Sequence, residues 1–405
     1  MRILMLSWEY PPRIIGGLGR HVAALSQQLA CAGHRVHVVS RDHPSASVRG
    51  TFAGVDVLRV SDAPPNIAFD DLLPWVLAFN NGIQATATPL LREYPFDVIH
   101  AHDWLVAYAA IALSDAWHLP LVSTIHATEH GRHQGHLPNA LSHRIHETEA
   151  WLVARSDRIV TCSAHMRAEV ARLFAPPADR LTRISNGVAI DDFTVAAADA
   201  AAYRQQRVDV GTQLVVFAGR LEFEKGVHTL LHALQQVQHA AGPTRLVVAG
   251  VGSYSPQLRR QVDELGLQAD VEFAGFVEDH ELKLLYAAAD VVVAPSIYEP
   301  FGLVAVEAMA SGTPVVVGDT GGLREIVADG SGLMFLPGDA DELAAVLIRV
   351  LTDRQLAQML VDQGRTTVTE RFNWGRVAVK TAAQYALVQR DRPQRPVAVP
   401  GDQHA

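Results

Sequence analysis

The stretch Pro295-Ser296-Ile297-Tyr298-Glu299-Pro300-Phe301-Gly302-Leu303-Val304-Ala305-Val306-Glu307-Ala308-Met309-Ala310-Ser311-Gly312 decides how the chain is read. Before it stands Val291 to Ala294, an apolar run with the length and branching of a buried strand. The stretch opens on Pro and Gly, continues as a small-residue helix and stops at Gly312, where Thr313-Pro314 leads into another apolar strand. Strand, loop, helix, strand is the unit of a parallel α/β sheet. Ligands of such sheets bind at the carboxyl ends of the strands, where this loop lies. It carries Glu299 in the loop and Glu307 on the helix. At ~1.5 Å per residue the helix rises about 7.5 Å from Gly302 to Glu307, so the two carboxylates can address opposite ends of one elongated ligand. The helix start between them, at Phe301, Gly302 and Leu303, offers free backbone N–H groups and the positive end of a dipole. A sugar nucleotide, with phosphate in the middle and hydroxyls at both ends, matches that layout. The plain alternative is a βαβ turn with two solvated glutamates, and the Pro-Phe-Gly-Leu between them weighs against it.

Outward from this stretch the same alternation fills the chain. Strands over 214–218, 245–249, 271–273 and 314–317 alternate with helices over 227–238, 256–265, 279–289 and 323–328, followed by helices 340–351 and 354–371. The N-terminal half repeats the theme. Strands cover 3–7, 36–40, 55–60, 97–100, 121–125 and 158–162, and the helices between them include 69–91, 105–117, 141–155 and 164–174. The pattern breaks at Ile184-Ser185-Asn186-Gly187-Val188, and the Ala- and Asp-rich segment 189–211 reads as a linker with a short helix. The expected fold is therefore α/β, with two Rossmann-like, doubly wound parallel-sheet domains facing a cleft. Residues 1–188 form the first domain and 189–373 the second, followed by a last helix over 374–390. Residues 391–405, polar and Pro-rich, read as a disordered tail.

Composition narrows the function classes. A chain of 405 residues exceeds one typical core. The net charge of −9 argues against nucleic acid or anionic lipid as main partner. Two distant cysteines, Cys31 and Cys162, give no disulfide framework and suit a reducing cytoplasm. The N-terminal apolar run is too short for a signal-peptide core, and no run is long enough to span a membrane.

Several other stretches bring chemistry to strand ends. Gly16-Gly17-Leu18-Gly19 lies nine residues past the first strand, in the order G-G-x-G, which disfavours a dinucleotide fingerprint. It reads as a flexible loop whose backbone N–H groups approach a diphosphate or sugar. Gly250-Val251-Gly252 lacks a third glycine, and a ligand approach or a bare turn explains it equally. Arg220 and Lys225 flank a loop at the end of strand 214–218 and can converge on one anion. Such fixed cations stabilise a departing diphosphate without a metal. Pairing with Glu222 and Glu224 is the alternative. His126 ends strand 121–125 and can bond a sugar hydroxyl. Asp103 and Trp104 follow strand 97–100 on the acceptor side, with His100 read as core support. Phe69 and Trp75 are either stacking platforms or helix core. The run His126, His130, His133, His136 is broken by Gly131, Gly135 and Pro138 and reads as a mobile polar acceptor loop, so no metal is expected. Asp339-Ala340-Asp341 precedes a helix and reads as a cap.

Taken together, these residues resemble the retaining glycosyltransferases of family 4, with the GT-B fold. The likeness rests on the Gly16–Gly19 loop, Asn186-Gly187-Val188, Gly219-Arg220 with Lys225-Gly226, Glu299 to Glu307, and Thr320-Gly321-Gly322-Leu323-Arg324-Glu325. The resemblance implies that Arg220 and Lys225 bind the donor diphosphate, Glu299 meets the transferred sugar, and Glu307 binds the ribose. It further implies that His126 contacts the sugar, that Gly16 and Gly17 close over the diphosphate, and that no metal or cofactor is required. It makes residues 1–188 the acceptor-side domain and 189–373 the nucleotide-sugar domain, with helix 374–390 crossing back to the first and Trp374 near the crossover. Ser7-Trp8-Glu9-Tyr10-Pro11-Pro12, His100 to Val106 and Ser123 to Glu129 resemble bacterial α-1,4-glucosyltransferases of the glycogen or methylglucose lipopolysaccharide type. Ile14 stands where the starch and glycogen synthases that use ADP-glucose carry Lys, which leaves ADP-glucose and UDP-glucose both open. The expected reaction is transfer of α-glucose from ADP- or UDP-glucose to the non-reducing end of an α-1,4-glucan. The alternatives are a mannosyl- or N-acetylglucosaminyltransferase to a lipid or small acceptor, a sugar-nucleotide 2-epimerase, and a non-catalytic sugar-binding protein.

Overall fold

The computed structural model describes residues 1–61 and 72–391. Phe69, the expected start of its helix and the tail from residue 392 on lie outside the described residues. The first sheet is built from β1 (Arg2–Leu6), β2 (Arg35–Arg41), β3 (Arg49–Phe52), β4 (Val55–Val60), β5 (Val98–His102), β6 (Leu121–Ile125), β7 (Arg158–Thr161) and β8 (Leu181–Arg183). Their order is β3-β4-β2-β1-β5-β6-β7-β8. The second sheet uses β9 (Gln213–Ala218), β10 (Thr244–Ala249), β11 (Val271–Gly275), β12 (Val291–Ala294), β13 (Val315–Gly318) and β14 (Leu333–Phe335), in the order β11-β10-β9-β12-β13-β14. Central strands such as β12, Val-Val-Val-Ala, are buried along their whole length, as a strand covered by helices on both faces must be.

One strand departs from the parallel rule. β3 pairs antiparallel with β4 through a two-residue turn, Ala53-Gly54, both at positive φ (47° and 79°). That is the turn whose twist suits a hairpin. The segment is mostly exposed and carries a single large apolar residue, so no alternation marks it as a strand. The edge strands β8 and β14 have three residues each, too short for a periodic signal.

In both sheets the order reverses about one pair of strands: β1 and β5 in the first, β9 and β12 in the second. Crevices open at the carboxyl ends of such pairs. The linker and the returning chain run side by side, with the Val188 N–H donating to Phe372 O at 2.8 Å. Helix Trp374–Asp391 then packs on helix Gly17–Cys31. Val377, Ala378, Tyr385 and Val388 share one core with Val22, Leu25 and Leu29.

Candidate active site

The loop after β1 reaches the second sheet. A Cβ on Gly17 would stand 3.0 Å from Leu303 Cδ1, and one on Gly16 would stand 4.0 Å from Arg220 Cδ. The glycines thus lie where the helix start at Leu303 meets the cation loop. The loop is pinned, contrary to the expectation of flexibility. Glu9 Oε2 accepts the N–H of Ile15 at 2.8 Å and that of Gly16 at 3.0 Å, so the Gly16 N–H is already engaged.

The cations end β9, and Glu299 follows the adjacent β12. Lys225 Nζ bonds Glu299 Oε2 at 2.9 Å, and Ser296 Oγ donates to the same oxygen at 3.3 Å. Arg220 pairs with Glu224 at 3.1 Å, while Glu222 turns away to Ser253. The sequence alternatives therefore divide: Arg220 takes its loop partner, and Lys225 takes the carboxylate of the opening stretch. All four groups are half-buried, in a setting where charge is screened less than at the surface. Gly226 makes this crossing possible, because a Cβ there would stand 1.9 Å from Pro295 O. Glycine serves a similar end at Gly250 and Gly252, where a Cβ would strike Gly219 O at 1.8 Å and Leu221 O at 2.2 Å. Their reason is backbone packing within the domain.

Glu307 is buried, with 6% exposure, and is no solvated glutamate. Arg20, from the helix that follows the glycine loop, reaches across the cleft. Its Nη1 bonds Glu307 Oε1 at 3.1 Å and its Nη2 bonds Asp279 Oδ1 at 2.6 Å. Tyr286 donates to Glu307 Oε2 at 3.4 Å. Burial pushes the Glu307 carboxyl up and the Arg20 guanidinium pulls it back. The sequence reading gave Arg20 no role, although there was a signal. A cation in the first turn of a helix opposes the dipole and calls for a partner elsewhere. A hollow of about 440 Å³ opens between Pro12, Arg13 and Ile14 on one side and Phe276 and Glu278, the residue before Asp279, on the other.

A group of four imidazoles floors the first domain's side. His100 is buried as expected: Nδ1 meets the Tyr385 hydroxyl at 2.7 Å and Nε2 meets Thr124 Oγ1 at 2.8 Å. The His102 ring tilts over it at 38° with ring centres 4.1 Å apart, and His102 Nδ1 lies 3.2 Å from His126 Nε2. His21 Nδ1 meets Asn186 Oδ1 at 2.8 Å, and its ring stands edge-on to His126. Burial holds all four below the ordinary imidazole range, His126 down to about 3, with neighbouring charge (Arg132 for His126) adding to it. Among the described residues, a set that offers metal-ligating nitrogens within 4.8 Å of one another is His21, His102 and His126. It is not the run from His126 to His136.

Asp103 turns inward. Its Oδ1 accepts the His126 N–H at 2.7 Å, and burial raises its carboxyl to about 6 despite that bond and the Arg132 charge. Its backbone takes φ 62° with ψ 175°, a region that is essentially glycine's, so the surrounding bonds hold Asp103 under strain. Trp104 is half-buried against the core, and Trp75 stacks through Arg41 onto Trp8 rather than standing free. The stretch after His126 is anchored at its start. Thr128 caps the short helix Glu129–Arg132 and donates to Glu169 at 2.6 Å, while the Glu129 N–H bonds Glu149 at 2.8 Å. Gly131 lies against Tyr298, where a Cβ would stand 2.3 Å from the hydroxyl. Asp339 caps its helix, accepting the Glu342 N–H at 2.9 Å.

Residues 15–192 match the model of Glycosyltransferase Family 4, and residues 200–367 match that of Glycosyl transferases group 1. A glycogen synthase of Mycobacterium tuberculosis is 41% identical, over 100% of this chain and 99% of its own length. The chain belongs to the family 4 glycosyltransferases. A D-inositol 3-phosphate glycosyltransferase of Xylanimonas cellulosilytica is 33% identical over 94% of each chain. Sucrose-phosphate synthase from Thermosynechococcus elongatus has a TM-score of 0.84 and 26% identity, over 97% of this chain and 100% of that one. This family 4 glycosyltransferase has the GT-B fold and is a hexosyltransferase, which sets aside the epimerase and the non-catalytic binder. No helix among its described residues is long and apolar enough to cross a membrane.

Proposed function

We propose that this glycosyltransferase moves glucose from ADP- or UDP-glucose to the non-reducing end of an α-1,4-glucan such as glycogen or a methylglucose polysaccharide, retaining the α configuration. The observation that carries the reading is the meeting of Lys225 and Glu299 between neighbouring strand ends, beside Arg220 and opposite the glycine loop. Arg220 and Lys225 neutralise the diphosphate as the C1–O bond to it breaks. Glu299 faces the positive charge that develops at the anomeric carbon. His126 orients the sugar, and Phe301, Gly302 and Leu303 present the helix start to the phosphates. Glu307 holds the ribose, and Phe276, 59% exposed at the hollow, suits the flat face of a base. The acceptor hydroxyl attacks from the same face and passes its proton to the departing diphosphate oxygen. Asp103 and Trp104 stand on the acceptor side, Asp103 acting through the backbone of His126. No metal or cofactor takes part. The two free thiols, Cys31 and Cys162, suit the reducing cytoplasm in which we set the reaction.

The glycogen synthase relative favours a glucan acceptor, and the inositol 3-phosphate relative supports transfer to a small phosphorylated acceptor as second reading. A screen of ADP-, UDP- and GDP-sugars against maltooligosaccharide, inositol phosphate and no acceptor tests both. Glucose incorporation into maltooligosaccharide from ADP- or UDP-glucose is expected. Incorporation only into inositol phosphate, or none from any glucose donor, rejects the glucan assignment.

A further inference from the structure

We infer that His102 is a positioning residue that sets the tautomer of His126: His102 Nδ1–H donates to His126 Nε2, which leaves the Nδ1–H of His126 as the donor for a sugar hydroxyl. The functional half of this inference rests on the proposed contact between His126 and the transferred sugar.

The argument is one of exclusion. The two nitrogens are 3.2 Å apart, so one donates and the other accepts. If His126 donated, a neutral His102 would carry its proton on Nε2. That atom is buried and has no partner, and His102 itself is fully buried. An orphaned buried N–H is the rarer and costlier defect, whereas a bare acceptor nitrogen is better tolerated. The proton of His102 therefore sits on Nδ1, and His126 accepts it at Nε2. His21 follows the same rule beside it, with Nδ1 donating to the Asn186 carboxamide oxygen and Nε2 buried without a partner.

The surroundings hold the pair in register. His100 is bonded at both nitrogens, to Tyr385 on the crossover helix and to Thr124, and forms a fixed floor under the His102 ring. Asp103 holds the His126 backbone N–H, so the main chain of His126 is fixed by one neighbour and its ring by the next. Burial disfavours the charged form of every imidazole in the group, so the choice is between neutral tautomers. His126 is half-buried while His21 and His102 are enclosed, so it is the member of the trio that a ligand in the cleft can reach.

The test is a multiple-bond ¹⁵N–¹H spectrum of the ¹⁵N-histidine-labelled full chain, assigned with His126→Asn, together with kcat for the wild type, His102→Asn and His102→Asp. Far-UV circular dichroism and the cooperative unfolding transition of each variant check that the first domain folds. The wild type is expected to carry the His126 proton on Nδ1. His102→Asn, whose amide group stands near the position of Nδ1, keeps that tautomer and keeps kcat within about threefold. His102→Asp puts an acceptor where the donor stood, moves the His126 proton to Nε2 and lowers kcat about tenfold or more, the loss of one oriented hydrogen bond. A wild-type His126 protonated on Nε2, or a tautomer unmoved by His102→Asp, overturns the inference and leaves the sugar contact standing. A tautomer that shifts while kcat does not overturns the sugar contact, and with it the functional half of the inference.

Discussion

Lys225 and Glu299 show what a single residue contributes here. The pair is half-buried, and each group holds the other in place at 2.9 Å. Lys225→Ala removes the cation proposed to meet the diphosphate and leaves the Glu299 charge without its cation. We expect kcat/KM to fall by about 10²–10³, mostly in kcat, as for the loss of one preorganised charge-stabilising group. Glu307→Ala should raise KM for the donor about tenfold with kcat near the wild-type value, the pattern of a lost ground-state contact. Steady-state kinetics with varied donor separate the two. A kcat defect in Glu307→Ala at unchanged donor affinity would contradict the division of roles. Asp103 gives a pH signature. Its folded pKa of about 6 lies above its ordinary 3.8, because burial disfavours the charge more than the His126 N–H and Arg132 favour it. A raised acid pKa adds stability that is full below about pH 4 and is lost as pH rises through 6; two pKa units amount to ~3 kcal/mol. Asp103→Asn keeps the acceptor and removes the charge. Denaturant unfolding should therefore show it equal to wild type near pH 4 and up to ~3 kcal/mol more stable above pH 6.5, whereas parallel curves would exclude a buried charge. The identities of Glu299, Glu307, Arg220 and Lys225 were legible from residue type at strand ends. The inward turn of Asp103 was not, because it depends on the backbone of a strand 23 residues away.

Elements were legible where their period was long. Helices with an apolar face and Val-rich central strands stand out, while β3, β8 and β14 are too short or too exposed to show. What one element does to another was hidden. The helix Gly17–Cys31 sends Arg20 to Glu307, 287 residues away, and no local pattern encodes that partner. The helix Ala164–Phe174 has the N–H groups of Ala164 and His165 bound by Glu325 of the second domain at 2.9 and 2.8 Å. Tyr298 reaches Glu169 at 3.0 Å over Gly131. Two of these ties, from Glu307 and Tyr298, join the domains through side chains of the stretch 295–312 itself. Arg20→Ala removes the bridge to Glu307 and Asp279 and leaves the buried carboxylate unpaired. The expected outcome is a larger radius of gyration by solution scattering, with weaker nucleotide binding. Unchanged scattering and affinity would show that Arg20 holds neither the domains nor the Glu307 carboxylate proposed to bind the ribose.

At the scale of the molecule, two doubly wound sheets place their reversal points against one cleft, and each domain brings a different part of the chemistry. The second supplies Arg220, Lys225, Glu299 and Glu307 at the carboxyl ends of β9 and β12. The first supplies the pinned glycine loop, the imidazole group and Asp103 at the ends of β1, β5 and β6. The two-sheet plan could be read from alternation alone; the contacts that align the sheets could not, since they are single hydrogen bonds between distant segments. The central claim is that this cleft joins α-glucose to a glucan with its anomeric configuration kept. The direct measurement is NMR of the product formed from maltooligosaccharide and nucleotide-glucose labelled with ¹³C at C1. The account predicts a labelled α-anomeric carbon linked 1→4 at the non-reducing end; a labelled β-anomeric carbon, or label that leaves the donor without reaching the glucan, would contradict it.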